Sequence, residues 1–76
     1  MKDILEAIIT SLVDNKEAVE ITEVNGEKSI VFEVKAAKED MGKIIGRQGR
    51  LAKSIRTLMK AIATKEQKRV SIEFIG

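Results

Sequence analysis

The sequence predicts an α+β fold, a three-stranded mixed sheet packed on helices. Three observations carry this. The spacing of apolar residues switches between a helical and an alternating period. An Asn25-Gly26 pair divides the first two alternating runs. Two helical stretches then precede a last alternating run at the C-terminal end. The order is α-β-β-α-α-β.

Residues 3–15 place Ile4, Leu5, Ile8, Ile9, Leu12 and Val13 on one wide apolar face, and Asp3 suits the start of a helix. Asp14-Asn15-Lys16 ends it. Residues 18–24 alternate and are rich in β-branched side chains. Asn25-Gly26 is a strong hairpin signal, because a tight turn needs residues that tolerate positive φ. Residues 28–35 return as a second strand with Ile30, Phe32 and Val34 on one face. Residues 38–45 read as a short helix, and residues 50–64 as a longer one. In the longer helix Leu51, Ile55, Leu58 and Ile62 form the expected core stripe. Residues 68–75 alternate Val70, Ile72 and Phe74. A strand–helix–helix–strand unit returns as a right-handed crossover, so the last strand is expected parallel to the second. Three strands on one side and three helices on the other then share one core.

A chain of 76 residues is expected to be one small domain, residues 1–76, with a thin core that association would help to stabilise. It contains neither Cys nor His, which removes disulfides, the usual zinc sites and His-based proton transfer together. No cofactor or metal is expected. No signal peptide or membrane-length apolar run is visible. The expected location is the cytoplasm. An enzyme is not expected. Glu39 and Asp40 are adjacent and diverge around a helix, and Ser54 sits on a basic helix with no base beside it.

Charge is divided along the chain. Residues 1–42 carry 5 basic and 10 acidic side chains, and residues 43–76 carry 9 and 2. The halves are therefore −5 and +7. Lys43, Arg47, Arg50, Lys53, Arg56 and Lys60 follow one another without an intervening acid. An anionic partner for the basic half is the implied consequence, although a solvated lysine face gives the same pattern.

At the start of that basic run stands Gly46-Arg47-Gln48-Gly49, framed by Gly42-Lys43-Ile44-Ile45 and Arg50-Leu51. Two glycines three apart let a backbone turn come close to something without obstruction. The helix that follows offers free N–H groups and a partial positive charge at its N-terminus. Two readings are open on spacing alone. One is a clamp for a phosphate backbone. The other is an ordinary helix-turn-helix corner, including one that reads duplex DNA from residues 50–64 with Arg50 at a base edge.

The element order, with "IIGRQGR" between its fourth and fifth elements, resembles a KH domain of the prokaryotic (type II) topology. The run "MGKIIGRQGRLAKSIRTLMKAIA" in so short a chain is similar to the small bacterial RNA-binding KhpA family. The resemblance covers the whole chain. It implies a grip on single-stranded RNA through a G-x-x-G loop that holds about four nucleotides. Gly46, Gly49, Arg47 and Gln48 would meet the sugar-phosphate chain, with Arg50 adding a charge-assisted contact. Lys43, Lys53 and Lys68 are weaker candidates. Ile44 and Ile45 have two jobs open to them, in the core beneath the turn or as the floor of a base-binding groove, and the core is the stronger pull on Ile45. With no Tyr or Trp, stacking platforms are not expected.

The resemblance further implies an RNA chaperone or post-transcriptional regulator linked to cell shape and peptidoglycan homeostasis. It also implies a homodimer, or a pairing with the larger KH protein KhpB (Jag/EloR). Ala52, Met59 and Ala63, a second apolar strip on the long helix, are the expected contact surface for that partner.

Overall fold

The computed structural model describes residues 1–75. Helix α1 (Lys2–Leu12) leads through a single 3-10 turn, Lys16–Ala18, into strands β1 (Glu20–Asn25) and β2 (Ser29–Lys35). Helix α2 (Lys38–Ile45), a second 3-10 turn at Arg47–Gly49 and helix α3 (Arg50–Lys65) follow, and strand β3 (Arg69–Ile75) completes the order. The sheet runs β1-β2-β3. The first pair is antiparallel, with Val24 opposite Val31, and the second is parallel, with Phe32 beside Ile72. The predicted α+β class and mixed sheet are therefore present.

One face of the sheet meets all three helices. Ile30, Phe32, Val34, Val70 and Ile72 pack there against Leu5, Ile9, Ile44, Ile55 and Met59. Phe32, Leu5, Ile9, Ile44 and Met59 are among the largest fully buried side chains. Each such side chain contributes about 1.5–3 kcal/mol of apolar burial. The opposite face of the sheet is uncovered.

Three local expectations are corrected. The turn after β1 does not fall on Asn25-Gly26. Asn25 pairs with Ile30 inside the ladder, Gly26 N–H donates to the Ser29 carbonyl at 2.7 Å, and the tip is Glu27-Lys28. Gly26 takes no left-handed φ. Its lack of a side chain serves close approach instead, since a β-carbon there would stand 2.9 Å from Ser29 Oγ.

The second correction concerns α3. Its buried residues are Ala52, Ile55, Met59 and Ala63, at i, i+3, i+7 and i+11. Leu51 and Ile62 are half-buried, and Leu58 is 47% exposed. The helix is rotated from the expected stripe: small Ala52 and Ala63 are buried along with Ile55 and Met59, while bulkier Leu51, Leu58 and Ile62 flank them. Ala52, Met59 and Ala63 are thus core residues and offer no surface to a partner. Third, Ile44 is buried under the turn, whereas Ile45 is 38% exposed.

Two devices fix the ends of the helices. The Asp40 side chain, almost fully buried, accepts backbone N–H groups from Asp14 at 3.1 Å and Asn15 at 3.0 Å. It thereby ties the exit of α1 to the first turn of α2. At the other end of the fold α3 closes in a two-bond cap. Lys68 N–H donates to Ala63 and Gln67 N–H to Thr64, each at 3.0 Å. That cap puts Gln67 at φ 58°, the left-handed region usually left to glycine.

Two stability measurements follow. The backbone N–H groups of Asn15 and Asp14, with Lys43 nearby, hold the Asp40 carboxyl below its ordinary pKa. Folding therefore favours the ionised form. Its stabilisation is complete above the unfolded carboxylate range, about pH 4, and is lost as pH falls through the lower folded value. Chemical unfolding at a series of pH values should show stability falling below about pH 4. In Asp40→Asn that fall should be shallower, from a lower starting point. Gln67→Gly should raise stability by about 0.5–1 kcal/mol by removing the left-handed strain, read as an increase in the denaturation midpoint.

Candidate nucleic-acid interface

Helix α2 ends at Gly46, whose φ of 78° and ψ of 176° turn the chain sharply. Gln48 and Gly49 both take left-handed backbone, at φ 57° and 73°, and α3 begins at once with Arg50. The two glycines do different work. A β-carbon at Gly46 would stand 2.7 Å from Leu51 Cβ and 3.0 Å from its backbone nitrogen, so this glycine packs inward on α3. A β-carbon at Gly49 would meet nothing within 4 Å. Gly49 is required by its φ, and the side where its side chain would be is open. At Gly46 the missing side chain therefore serves close packing on Leu51.

Gln48 in a left-handed conformation costs about 1 kcal/mol relative to ordinary backbone. Strain of this kind gathers where a loop must present groups in one direction. Here it aims Arg47 and Gln48 outward, and both are exposed, as is Arg50. No side chain caps the N-terminus of α3. Arg50 N–H is donated to the Arg47 carbonyl, and the positive end of the 16-residue helix faces the same loop.

Ion pairing separates the basic residues into two groups. Lys43 bonds the Asp14 carboxylate and lies 3.5 Å from Asp40 Oδ1. The Asp14 bond, with both carboxylates adding charge, raises its pKa. Its charge is thus engaged in the brace between α1 and α2. Among the described residues no carboxylate lies within ion-pair distance of Arg47, Arg50, Lys53, Arg56 or Lys60.

Beyond the loop, a groove runs between the flank of α3 and the outer edge of β3. Its near part is lined by Arg56, Lys60, Val70, Ser71 and Ile72. Its far part adds Thr64, Lys68 and Arg69. Gly49, Arg56 and Lys60 stand at i, i+7 and i+11, so the loop opens onto this groove along one flank of the helix. Lys53 instead lies on the outward face of α3 with Ser54, Thr57, Leu58 and Ala61. Lys68 is in the groove, about 20 Å of helix from the loop.

The sequence reading did not single out Arg56 as more than one charge in a run. Its Nε donates to the Ile72 carbonyl at 3.3 Å, and its guanidinium carbon lies 5.1 Å from the centroid of the Phe74 ring. The register of Arg56 with Gly49, seven residues apart, was the available signal.

Among the described residues no group of three or more Cys, His, Asp or Glu is arranged to hold a metal ion. No described helix is long and apolar enough to cross a membrane.

Comparison with known proteins agrees with this geometry. A family model described as the KH domain of KhpA/KhpB matches residues 2–74. The RNA-binding protein KhpA of Clostridium acetobutylicum is 59% identical over 75 residues, 99% of this chain and 100% of that one. The protein of the same name from Clostridium perfringens is 56% identical with the same coverage. That of Aquifex aeolicus is 45% identical over 99% of this chain and 95% of its own. No solved structure gave a match. The groove, the glycine loop and a family match across nearly the whole length place this chain in the KhpA/KhpB family of RNA-binding KH domains.

Proposed function

We propose that the chain binds single-stranded RNA, holding phosphates at Arg47, Gln48, Gly49 and Arg50 and laying bases into the groove between α3 and β3. The single observation that carries this is the coincidence at one loop of cations without an ion-pair partner among the described residues, a helix N-terminus with no side-chain cap and the open side of Gly49. Each recruits phosphate for a separate physical reason. The relatives' own name, RNA-binding protein, supports it. Ile45, exposed beside the loop, is suited to apolar contact with a sugar or base. The role is one of binding rather than catalysis. By family resemblance it extends to an RNA chaperone or post-transcriptional regulator in the cytoplasm, linked to cell shape and peptidoglycan homeostasis.

A second reading concerns protein pairing, and one observation favours it. Leu58 is exposed at the centre of a shallow apolar depression formed with Thr57 and Ala61 on the outward face of α3. That face is distinct from the groove flank, so a second copy, or the related chain KhpB, could dock there while RNA is held.

Three measurements test these readings. Arg47→Asp with Gln48→Asp reverses the loop's charge at exposed positions, and Asp tolerates the left-handed conformation of Gln48. Binding to a single-stranded oligonucleotide should fall by about 100-fold, since each lost charge-assisted contact is worth about 1.5–3 kcal/mol, with thermal unfolding little changed. Unaltered affinity in a folded double variant contradicts the clamp. Gly46→Asp is unsuitable, because it would collide with Leu51.

In competition at fixed salt, single strands should displace a duplex of equal length. Preference for duplex DNA would favour the helix-turn-helix reading. For pairing, light scattering at micromolar concentration should show a dimer that Leu58→Asp converts to monomer with its helical signal intact. A wild-type monomer throughout leaves only a different partner for that face.

A further inference from the structure

We propose that Arg56, backed by Phe74, is a stacking platform for one base of the bound strand. The inference rests on the single-strand reading above and adds to it the place where a base is received.

The composition sets the problem. The chain has no Trp or Tyr and two Phe. Phe32 is fully buried. Phe74 is half-buried, and the guanidinium of Arg56 lies over its ring. No bare aromatic face is therefore offered to a nucleic acid, although stacking on a flat side chain is a main way in which unpaired bases are held.

Arg56 supplies the missing plane. Its guanidinium is fixed at two points, by Nε on the Ile72 carbonyl at 3.3 Å and by the Phe74 ring 5.1 Å from the guanidinium carbon. The side chain is exposed and forms part of the groove wall with Lys60, Val70, Ser71 and Ile72. No carboxylate within ion-pair distance competes for it among the described residues. A guanidinium is planar and weakly hydrated, and it stacks on π systems where an ammonium does not. The guanidinium carbon of Arg56 lies over the Phe74 ring, 5.1 Å from the centroid. The guanidinium is a flat surface whose ordering is already paid for by the contacts to β3, so a base that lands there costs little further side-chain entropy.

Position agrees. Arg56 is seven residues from Gly49 on the same flank, about 10 Å along the helix. A strand gripped at the loop reaches it within the roughly four nucleotides that such a loop holds. A base stacked on Arg56 would also bring its edge to the outer edge of β3.

A hexanucleotide RNA, short enough to have little room to shift, tests this. An abasic residue is placed at each position in turn, and binding is measured for the wild type and for Arg56→Lys. In the wild type, removing the base at one position should weaken binding about tenfold, within the range for a base stacked on a side chain. Arg56→Lys keeps the charge and loses the plane. It should bind the intact hexamer about tenfold more weakly and show no further loss at that position.

Phe74→Leu keeps the packing volume and removes the ring behind Arg56. It should reduce the same abasic penalty while binding at the other positions is unchanged, which guards against a variant that merely loosens α3. An Arg56→Lys protein that binds and scans like the wild type overturns the proposal. So does a uniform loss that leaves every abasic penalty in place, because Arg56 is then only a charge or a strap. If Arg47→Asp with Gln48→Asp abolishes binding while the Arg56 scan shows no such position, the platform alone fails. If the wild type binds no single strand, the reading beneath it fails too.

Discussion

Where α2 ends, the chain turns through a space that holds a hydrogen atom and nothing larger. Gly46 has left-handed backbone and faces Leu51 so closely that any β-carbon would overlap it. That contact sets how α3 departs from α2, and the rest of the site depends on it. It fixes the direction in which Arg47 and Gln48 project. Gly49, the residue before α3, has no side chain to cap the helix N-terminus. Further along α3, Arg56 and Lys60 meet the edge of β3 on one flank of the helix. Gly49 has the opposite surroundings, with open space beside it. Two glycines three residues apart thus divide one task, the first packing the turn and the second baring it.

Electrostatics sharpens the division. The acidic half of the sequence does not fold back to neutralise the basic half. Among the described residues its ion pairing is with Lys43, which Asp14 and Asp40 hold at the brace between α1 and α2. On the uncovered face of the sheet, Glu33 of β2 stands beside Glu73 of β3 in the parallel register. Like charges at neighbouring positions destabilise a sheet and repel a polyanion. Such a face disfavours a polyanion, which fits the proposed site on the other side of the molecule. Glu33 and Glu73 and the absence of an aromatic residue both set that face apart from the sheets of aromatic-studded RNA binders.

The sequence revealed much of this, and its failures have physical causes. Period, β-branched content and the two-helix crossover were enough for the element order and the parallel pairing of β2 with β3, because those follow from patterns along the chain. The loop was legible because glycine spacing and uninterrupted charge are both local. The rotation of α3 was not. Leu58 outweighs Ala52 in any hydrophobic pattern, yet Ala52 is buried and Leu58 exposed, because the packing of α3 on its neighbours is not written in its own pattern. The same error exchanged the core and the proposed partner surface, so that Met59 proved interior and Leu58 exterior. Asn25-Gly26 misled for a related reason: the register of the first two strands moved the tip of the turn to Glu27-Lys28. Lys43 looked like one more loop cation, and only the fold brings it to Asp14, twenty-nine residues away in sequence. Arg56 acquires its meaning from Ile72 and Phe74, which are distant along the chain.

The central claim is that nucleic acid occupies the glycine loop and the groove beside β3, on one side of the molecule. Backbone amide shifts recorded by NMR during titration with a short single-stranded RNA test it most directly. The account predicts perturbations concentrated at residues 46–51, along Arg56 and Lys60, and at 70–74, with Thr22, Val24 and Lys35 on the open sheet face unmoved. Perturbations centred on that open face, or on Leu58 and Ala61 with the loop silent, would contradict it.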